Sequence, residues 1–181
     1  MTKIQNLKIV FFGNPNYANI YKTALENAGY EVFIMRDFAS AKENIEKIKP
    51  DLGIIACFGK IIPESILKIP KYGFLNILPS LLPRWRGPSP MRSALLIGET
   101  KTGVTIHITT QKVDAGDIIL QKTFAIGADD NYTALEEKLF RQGAKMLPDT
   151  ITKWLSGDIK PQKQDESKAT FTKKVQREDG L

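Results

Sequence analysis

Runs of apolar residues alternate with amphipathic helical patterns along the first half of the chain. Such alternation is typical of strand–helix–strand units, in which each helix crosses back over a parallel sheet. The predicted elements are, in order, strand Leu7–Gly13, helix Tyr17–Ala28, strand Tyr30–Met35, helix Ser40–Ile48 and strand Leu52–Cys57. We therefore expect a doubly wound, mostly parallel α/β sheet with helices on both faces. Its ligand crevice should lie at the carboxyl ends of the strands.

The second half of the chain completes the sheet and then changes pattern. The predicted elements are a short helix Pro63–Leu67, strand Gly73–Leu78, helix Met91–Ile97, strands Gly103–Thr110 and Asp117–Phe124, and helix Asn131–Leu155. The last two strands are predicted to be antiparallel, joined by the loop Gln111–Gly116. Pro148 predicts a kink or break in the last helix, because proline removes a helical hydrogen bond. From Gly157 onward the sequence is polar and is predicted to be extended.

Composition limits the class of protein. The chain has 181 residues and a mass of 20.3 kDa, the size of one domain with an appended segment. With 42% hydrophobic and 25% charged residues, it is not a disordered chain. The single Cys57 excludes an intramolecular disulfide, and Cys and His do not show zinc-site spacing. We therefore expect a cytoplasmic monomer without metal. We also expect no membrane partner, because the apolar runs are shorter than the about 18 residues that a membrane helix needs.

The net charge of +6 and the isoelectric point near 9.3 leave two interpretations open. One is a surface that faces a polyanionic partner, and the other is a set of solvated lysines without a partner. The clearest local excess of positive charge is in residues 160–181, where basic side chains outnumber acidic ones. A solvated terminal segment would show the same excess.

Two turns after predicted strands are candidate ligand contacts. In Gly13–Asn16, Asn14 can cap the next helix and Pro15 suits its first turn, while exposed N–H groups there could hold an anion. Any strand-to-helix turn offers the same residues, so function is not implied. In the turn Cys57–Lys60, Cys57 has no His nearby in sequence. It is predicted to pack in the core as a small apolar side chain and not to act as a nucleophile.

Residues 76–90 are rich in proline and carry Trp and Arg side chains, which predicts a stiff ordered loop framing a binding site. The spacing within this loop and in two later motifs resembles that of the folate-dependent formyltransferases and, among them, the methionyl-tRNA formyltransferases. The resemblance covers almost the whole chain. The segments that carry it are Phe12–Pro15, Ser80–Gly87, Thr102–Ile106, Val113–Ile118, Gln164–Phe171 and Arg177–Gly180.

The resemblance implies a Rossmann-like catalytic domain that transfers a formyl group from 10-formyltetrahydrofolate to the amino group of methionyl initiator tRNA, without metal. Asn76 would stabilise the developing oxyanion, and Asp114 would orient the reacting groups and help to remove the amine proton. Folate contacts are implied for Cys57, Phe58, Gly59, Ile61, Ile62, Ser80, Leu81, Leu82, Pro83, Val113, Asp114 and Asp117. Acceptor contacts are implied for Gly13, Asn14, Arg84, Arg86 and Gly87.

The chain departs from the family at the catalytic histidine, because Leu78 occupies that position. Leucine can neither donate to an oxyanion nor relay a proton, and loss of a general acid or base typically costs about 10²- to 10⁴-fold in rate. The single histidine, His107, lies on a predicted strand, and relatives that act on small amines can carry a His there. Because His107 shares a strand face with Thr105 and Thr109, we expect a solvated side chain.

Two further departures concern the acceptor. Methionyl-tRNA formyltransferases usually carry a longer basic insertion between the second and third strands, where this chain has only residues 36–51. The family also continues into a basic OB-like barrel. We expect residues 1–156 to form the catalytic domain and residues 157–181 an extended segment leading toward such a barrel. Without these parts, tRNA binding would be weak and sensitive to salt, because few phosphate contacts remain.

Three functions therefore stay open. The first is formylation of methionyl-tRNA, impaired by Leu78. The second keeps the chemistry but uses a small amine, such as an amino sugar or glycinamide ribonucleotide. The third is a folate-binding domain without catalysis, because a fold can persist after its activity is lost.

Overall fold

The computed structural model describes residues 6–36 and 41–174 of the chain. Six strands are present in this part: β1 (Lys8–Gly13), β2 (Glu31–Met35), β3 (Leu52–Ala56), β4 (Phe74–Leu78), β5 (Lys101–Ile108) and β6 (Ile118–Ala125). The helices are α1 (Pro15–Asn27), α2 (Ala41–Ile48), α3 (Glu64–Leu67), α4 (Pro90–Leu96) and α5 (Tyr132–Leu155), followed by a 3₁₀ turn at Glu166–Lys168. Ser40, the predicted start of the second helix, and the motif residues Arg177–Gly180 lie outside the described residues.

The strands form one sheet in the order β2-β1-β3-β4-β5-β6. The first four are mutually parallel, whereas β5 is antiparallel to both β4 and β6. The chain leaves β1 for β2 on one side and returns to β3 on the other, so the strand order reverses beside β1. In open α/β sheets such a reversal places the ligand crevice at the carboxyl ends of the strands.

Alternate side chains of β1 enter two separate cores. Ile9 and Phe11 pack into a core with helices α1 and α5, whereas Val10 and Phe12 pack into a smaller core with α2 and α3. All four side chains are fully buried, as expected for a central strand covered on both faces. The prediction of a doubly wound α/β sheet with helices on both faces is therefore confirmed.

The helix boundaries follow local chemistry closely. Asn14 and Asn131 cap α1 and α5, each accepting a backbone N–H at 2.9 Å, and Gly29 follows α1 with a left-handed φ of +91°. Of the two predicted effects of Pro148, a kink or a break, the break is wrong, because α5 continues through Pro148 as one helix. Leu147 and Ile151 are fully buried beside it, and this packing outweighs the lost hydrogen bond.

The segment after α5 is less extended than the sequence predicts. Gln162 pairs with Ile118 at the start of β6, and Phe171 pairs with Arg86 in the proline-rich loop. Between these two bridges, the backbone forms the 3₁₀ turn. Residues 162–172, which we call the strap, therefore lie against the body of the sheet. Within the two described ranges, no helix is long and apolar enough to cross a membrane.

Candidate functional site

A crevice of about 460 Å³ opens at the carboxyl ends of β3 and β4. Its walls are the turn after β3, the end of β4, the proline-rich loop before α4, the loop between β5 and β6, and the first residue of α5. This volume lies in the range of small-molecule sites. The position is the one predicted from the strand order.

Three polar side chains from separate elements meet at the floor of this crevice. The Asn76 amide nitrogen, on β4, donates to Asp114 Oδ1 at 3.1 Å. The same nitrogen lies 3.2 Å from His107 Nε2 on the paired strand β5. His107 Nε2 and Asp114 Oδ1 are 3.6 Å apart. An amide, an imidazole and a carboxylate therefore form one hydrogen-bonded cluster, whose Asn76 and Asp114 line the crevice.

His107 is buried, with only 1% of its surface exposed, so the predicted solvated histidine is wrong. Its ring Nδ1 lies 3.1 Å from the carbonyl oxygen of Ile108. Because a carbonyl can only accept, Nδ1 carries the hydrogen, and in the neutral ring Nε2 then accepts from Asn76. The imidazole therefore contacts the Asn76 amide from the side away from the crevice.

Asp114 is held in an uncommon conformation. Its φ of +48° is left-handed, a region that non-glycine residues seldom adopt. The second carboxylate oxygen, Oδ2, accepts the backbone N–H of Gly87 at 2.8 Å. The carboxylate is thus fixed between Asn76 and the proline-rich loop, with its side chain only 11% exposed.

Leu78 ends β4 two residues beyond Asn76 and lines the same crevice. Its side chain is almost fully buried at 9% exposure. The crevice therefore has an apolar wall at the point where the resemblance implies an imidazole.

The structure brings together some of the residues implied as ligand contacts and separates others. Those on the crevice are Cys57, Phe58, Gly59, Ile61, Asn76, Leu78, Gly87, Val113 and Asp114. Those away from its lining are Gly13, Asn14, Ile62, Ser80, Leu81, Leu82, Pro83, Arg84, Arg86 and Asp117. Among the latter, Ile62 and Leu82 are buried as core side chains. Leu81 and Arg84 line a second hollow beside Trp85 and the start of β5.

The two arginines implied as acceptor contacts differ in availability. Arg84 is exposed and pairs with Glu99. Arg86 is 2% exposed, and its guanidinium donates to Gln164 and Glu166 of the strap. These bonds occupy the buried guanidinium inside the protein, so Arg86 joins the proline-rich loop to the strap.

Cys57 is not the core residue predicted from its apolar neighbours. It follows β3 with a left-handed φ of +51°, is exposed, and lines the crevice. Close protein atoms, and secondly the nearby Glu136 carboxylate, raise the pKa of its thiol to about 11 although the residue as a whole is exposed. At neutral pH the thiol is therefore protonated and is a poor nucleophile.

Sequence reasoning missed one polar group at the edge of the crevice. Tyr132 and Tyr17 donate their hydroxyls to the two oxygens of Glu136, at 2.8 and 3.1 Å. Partial burial, reinforced by the bond to Glu136, raises the pKa of both tyrosines to about 12. The Arg92 guanidinium lies 4.7 Å from the centre of the Tyr132 ring. The four-residue spacing of Tyr132 and Glu136 on one helix was an available signal.

In the part of the chain that the structure describes, no group of three or more His, Cys, Asp or Glu side chains is arranged to hold a metal ion. The polar cluster at the floor of the crevice is the Asn76 amide and the Asp114 carboxylate, with the buried His107 imidazole behind them. Such a set can bind a carbonyl oxygen and accept a proton.

Comparisons with known proteins find chains that are similar in sequence and in fold. The family model for formyl transferase matches residues 9–151. A methionyl-tRNA formyltransferase of Roseiflexus sp. (strain RS-1) is 40% identical over 172 residues, which are 93% of this chain and 53% of that protein. The chain spans about half the length of the curated relatives it matches.

Two solved structures share the fold. The methionyl-tRNA formyltransferase from Clostridium thermocellum superimposes with a TM-score of 0.76 at 20% identity, covering 96% of this chain and 74% of that one. The formyltransferase PseJ from Anoxybacillus kamchatkensis, in complex with UDP-4,6-dideoxy-4-formamido-L-AltNAc and tetrahydrofolate, gives 0.77 at 24% identity, covering 91% and 85%. At these identities the likeness concerns the fold alone.

Proposed function

The chain belongs to the formyl transferase family, and from this premise we propose that it transfers the formyl group of 10-formyltetrahydrofolate to a primary amine, with methionyl initiator tRNA as the acceptor. The observation that carries the proposal is the contact between Asn76 and Asp114 at the floor of the crevice, at 3.1 Å. A donor for a developing oxyanion and an acceptor for the amine proton thereby lie side by side. The place of action would be the cytoplasm, during translation initiation.

The crevice suits a folate. Its lining combines apolar side chains with a few polar groups, as small-molecule sites do. Ile61 and Val113 are 75% and 50% exposed, on two loops that both line it. We propose that these side chains cover the flat ring system of the folate, and that the turn Cys57–Gly59 contacts its edge through backbone groups.

When bound, 10-formyltetrahydrofolate would supply the formyl carbon; its C–N10 bond breaks while the amine nitrogen bonds to that carbon and gives up a proton. Negative charge develops on the formyl oxygen as the amine attacks. The Asn76 amide is the fixed donor for that charge, an interaction worth a few kcal/mol in comparable sites. Asp114 would take the proton from the amine. That proton would then pass to N10 of the folate, which leaves as tetrahydrofolate.

These two roles are coupled in the proposed reaction. The Asn76 amide nitrogen lies within hydrogen-bond distance of both Asp114 Oδ1 and His107 Nε2. A hydrogen bond to a carboxylate is strengthened by its charge and weakens when that charge is neutralised. Uptake of a proton by Asp114 would therefore release an Asn76 N–H toward the oxyanion at the moment when charge develops.

We further propose that the chain is a slow formyltransferase. Leu78 offers no proton at the crevice wall, and His107 lies behind Asn76, outside the crevice lining. His107 can therefore orient the amide but cannot reach the reacting atoms. The site would retain oxyanion stabilisation while losing the contribution of a general acid or base, about 10²- to 10⁴-fold.

A small amine is the second candidate acceptor. The formyltransferase PseJ, which shares the fold, is described in complex with a formamido sugar nucleotide. In this chain Arg86 is occupied inside the protein, which leaves Arg84 and Arg92 as the arginines of this region for an anionic acceptor. A phosphorylated small amine needs few such contacts, whereas tRNA binding gains from many.

The test is a direct comparison of acceptors. Purified protein is incubated with 10-formyltetrahydrofolate and either methionyl-tRNA, a nucleotide-linked amino sugar or glycinamide ribonucleotide, and release of tetrahydrofolate is followed. We expect slow turnover with methionyl-tRNA that disappears in Asn76→Ala. Faster turnover with a small amine would show that the small amine, and not methionyl-tRNA, is the acceptor. Tight binding of a folate analogue without turnover in any assay would overturn catalysis and favour a binding domain.

A further inference from the structure

Gln164, in the strap, makes hydrogen bonds with both loops that hold Asp114. Its side-chain nitrogen donates to the carbonyl oxygens of Asp114 and Gly116, at 2.8 and 2.7 Å. Its side-chain oxygen accepts from Arg86 Nη2 at 2.8 Å and from Nε at 3.1 Å. The nitrogen and the oxygen of the Gln164 amide are thus both hydrogen-bonded. Gln164 and Asp114 are 50 residues apart in the sequence.

The loop that Gln164 holds needs such support. Asp114 has a left-handed φ of +48° without being glycine, a conformation that persists only where surrounding contacts impose it. Gly116 lies so close to β5 that an added Cβ would be 1.7 Å from the Ile108 carbonyl oxygen. The loop therefore packs closely against β5 at Gly116. Gln164 donates hydrogen bonds to the residues on either side of Ala115.

The other end of Gln164 acts on the opposite loop. Arg86, which it contacts, precedes Gly87, and the Gly87 N–H donates to Asp114 Oδ2 at 2.8 Å. The strap also pairs with Arg86 along the backbone, where Arg86 N–H donates to Thr170 O and Thr172 N–H donates to Arg86 O. Gln164 thus fixes the backbone of Asp114 directly and its carboxylate through Arg86 and Gly87.

We infer that Gln164 is a positioning residue for the carboxylate of Asp114, which makes the strap after α5 part of the catalytic unit. The inference rests on the proposed function, because it assigns Gln164 a role in that reaction. A misplacement of reacting groups by about 1 Å can cost about 100-fold in rate. Loss of the two donated bonds should therefore lower kcat more than it changes KM for either substrate.

The decisive variant is Gln164→Glu in the full chain. Glutamate keeps an acceptor for Arg86 and adds a charge that favours that contact, but it cannot donate to the carbonyls of Asp114 and Gly116. The variant therefore keeps the contact with Arg86 and removes the two bonds to the loop of Asp114, and the split between kcat and KM separates positioning from a general loss of stability. Gln162→Ala is the matched control, because Gln162 is exposed and pairs with Ile118 through its backbone.

Three measurements decide the matter. We expect Gln164→Glu to remain folded with a lower urea midpoint, because the carbonyls of Asp114 and Gly116 lose their donor. It should increase hydrogen exchange in peptides covering residues 82–95 and 109–118, and lower kcat about 10- to 100-fold with little change in KM for either substrate. Gln162→Ala should leave all three unchanged. Unchanged exchange in Gln164→Glu would overturn the role of Gln164 whatever the activity. Absence of turnover in the wild type would contradict the proposed function, while the exchange result would still decide whether Gln164 holds the loop.

Discussion

His107 Nε2 lies 3.2 Å from the side-chain nitrogen of Asn76, in the register where β5 pairs with β4. The two residues stand directly opposite each other on antiparallel strands, so the contact follows from the sheet itself. The imidazole buried at this point contacts the amide that is proposed to stabilise the oxyanion. Removing the imidazole should therefore lower both the free energy of unfolding and the rate of formyl transfer.

We expect His107→Phe to fold with a lower free energy of unfolding and to transfer formyl groups more slowly. Phenylalanine fills a similar volume but cannot accept from Asn76, and an unsatisfied buried N–H costs about 1–3 kcal/mol. A freed amide can also rotate, which would lower kcat by up to about 100-fold. Urea denaturation and a formyl-transfer assay check this. A folded His107→Phe with the wild-type rate would show that the imidazole does not orient Asn76.

Leu78→His should raise the rate of formyl transfer. The side chain lines the crevice two residues beyond Asn76, where an imidazole can reach the reacting groups, which His107 cannot. The gain should lie between about 10²- and 10⁴-fold if the new group acts as a general acid or base. Leu78→Gln is the matched control, because it adds a polar group that does not titrate. An unchanged rate in a folded Leu78→His would contradict the assignment of position 78.

The sequence predicted the sheet well because burial on both faces leaves an unmistakable pattern. The apolar run of β1 and the caps Asn14 and Asn131 are local signals, and each was found at the expected place. The misjudged Pro148 shows the limit of such signals. Tertiary packing of Leu147 and Ile151 keeps the helix continuous where local chemistry favours a break.

The candidate site was harder to predict for a physical reason. Strand alternation identifies a solvent face only where one face is exposed, but β5 is buried on both faces from Thr102 to His107. Thr105 is polar yet buried, because its hydroxyl donates to the Ser80 carbonyl, so it was a poor guide to the face of His107. The contact of Gln164 with Asp114 has no local signal at all.

Stability should depend on pH through Glu166. The hydrogen bond from Arg86 lowers the pKa of this carboxyl below its usual value of 4.5. A group with a lowered pKa in the folded state contributes stability above its unfolded pKa, and that contribution is lost as pH falls through the folded value. We expect the urea midpoint of the wild type to fall more steeply below pH 4.5 than that of Glu166→Gln.

The comparison isolates Glu166 because the other acidic groups are common to both proteins. Asp165, whose pKa is lowered chiefly by a hydrogen bond from Ser167, is retained in each. Parallel pH curves for the two proteins would contradict the contribution of the Arg86–Glu166 pair. The effect should be modest, because the Glu166 side chain is 70% exposed and solvent screens the pair.

Cys57 should react slowly with iodoacetamide although it is exposed on the crevice. The thiolate is the reactive form, and a pKa of about 11 leaves little of it near pH 8. The alkylation rate should rise about tenfold per pH unit until it levels off near pH 11, whereas the urea-unfolded chain should level off near the ordinary value of about 8.5. Mass spectrometry gives an unambiguous readout, because the chain has a single cysteine. A midpoint near 8.5 in the folded protein would show that the turn after β3 leaves the thiol fully solvated. In a second experiment, a bound folate analogue that fails to slow alkylation would show that the ligand lies away from this turn.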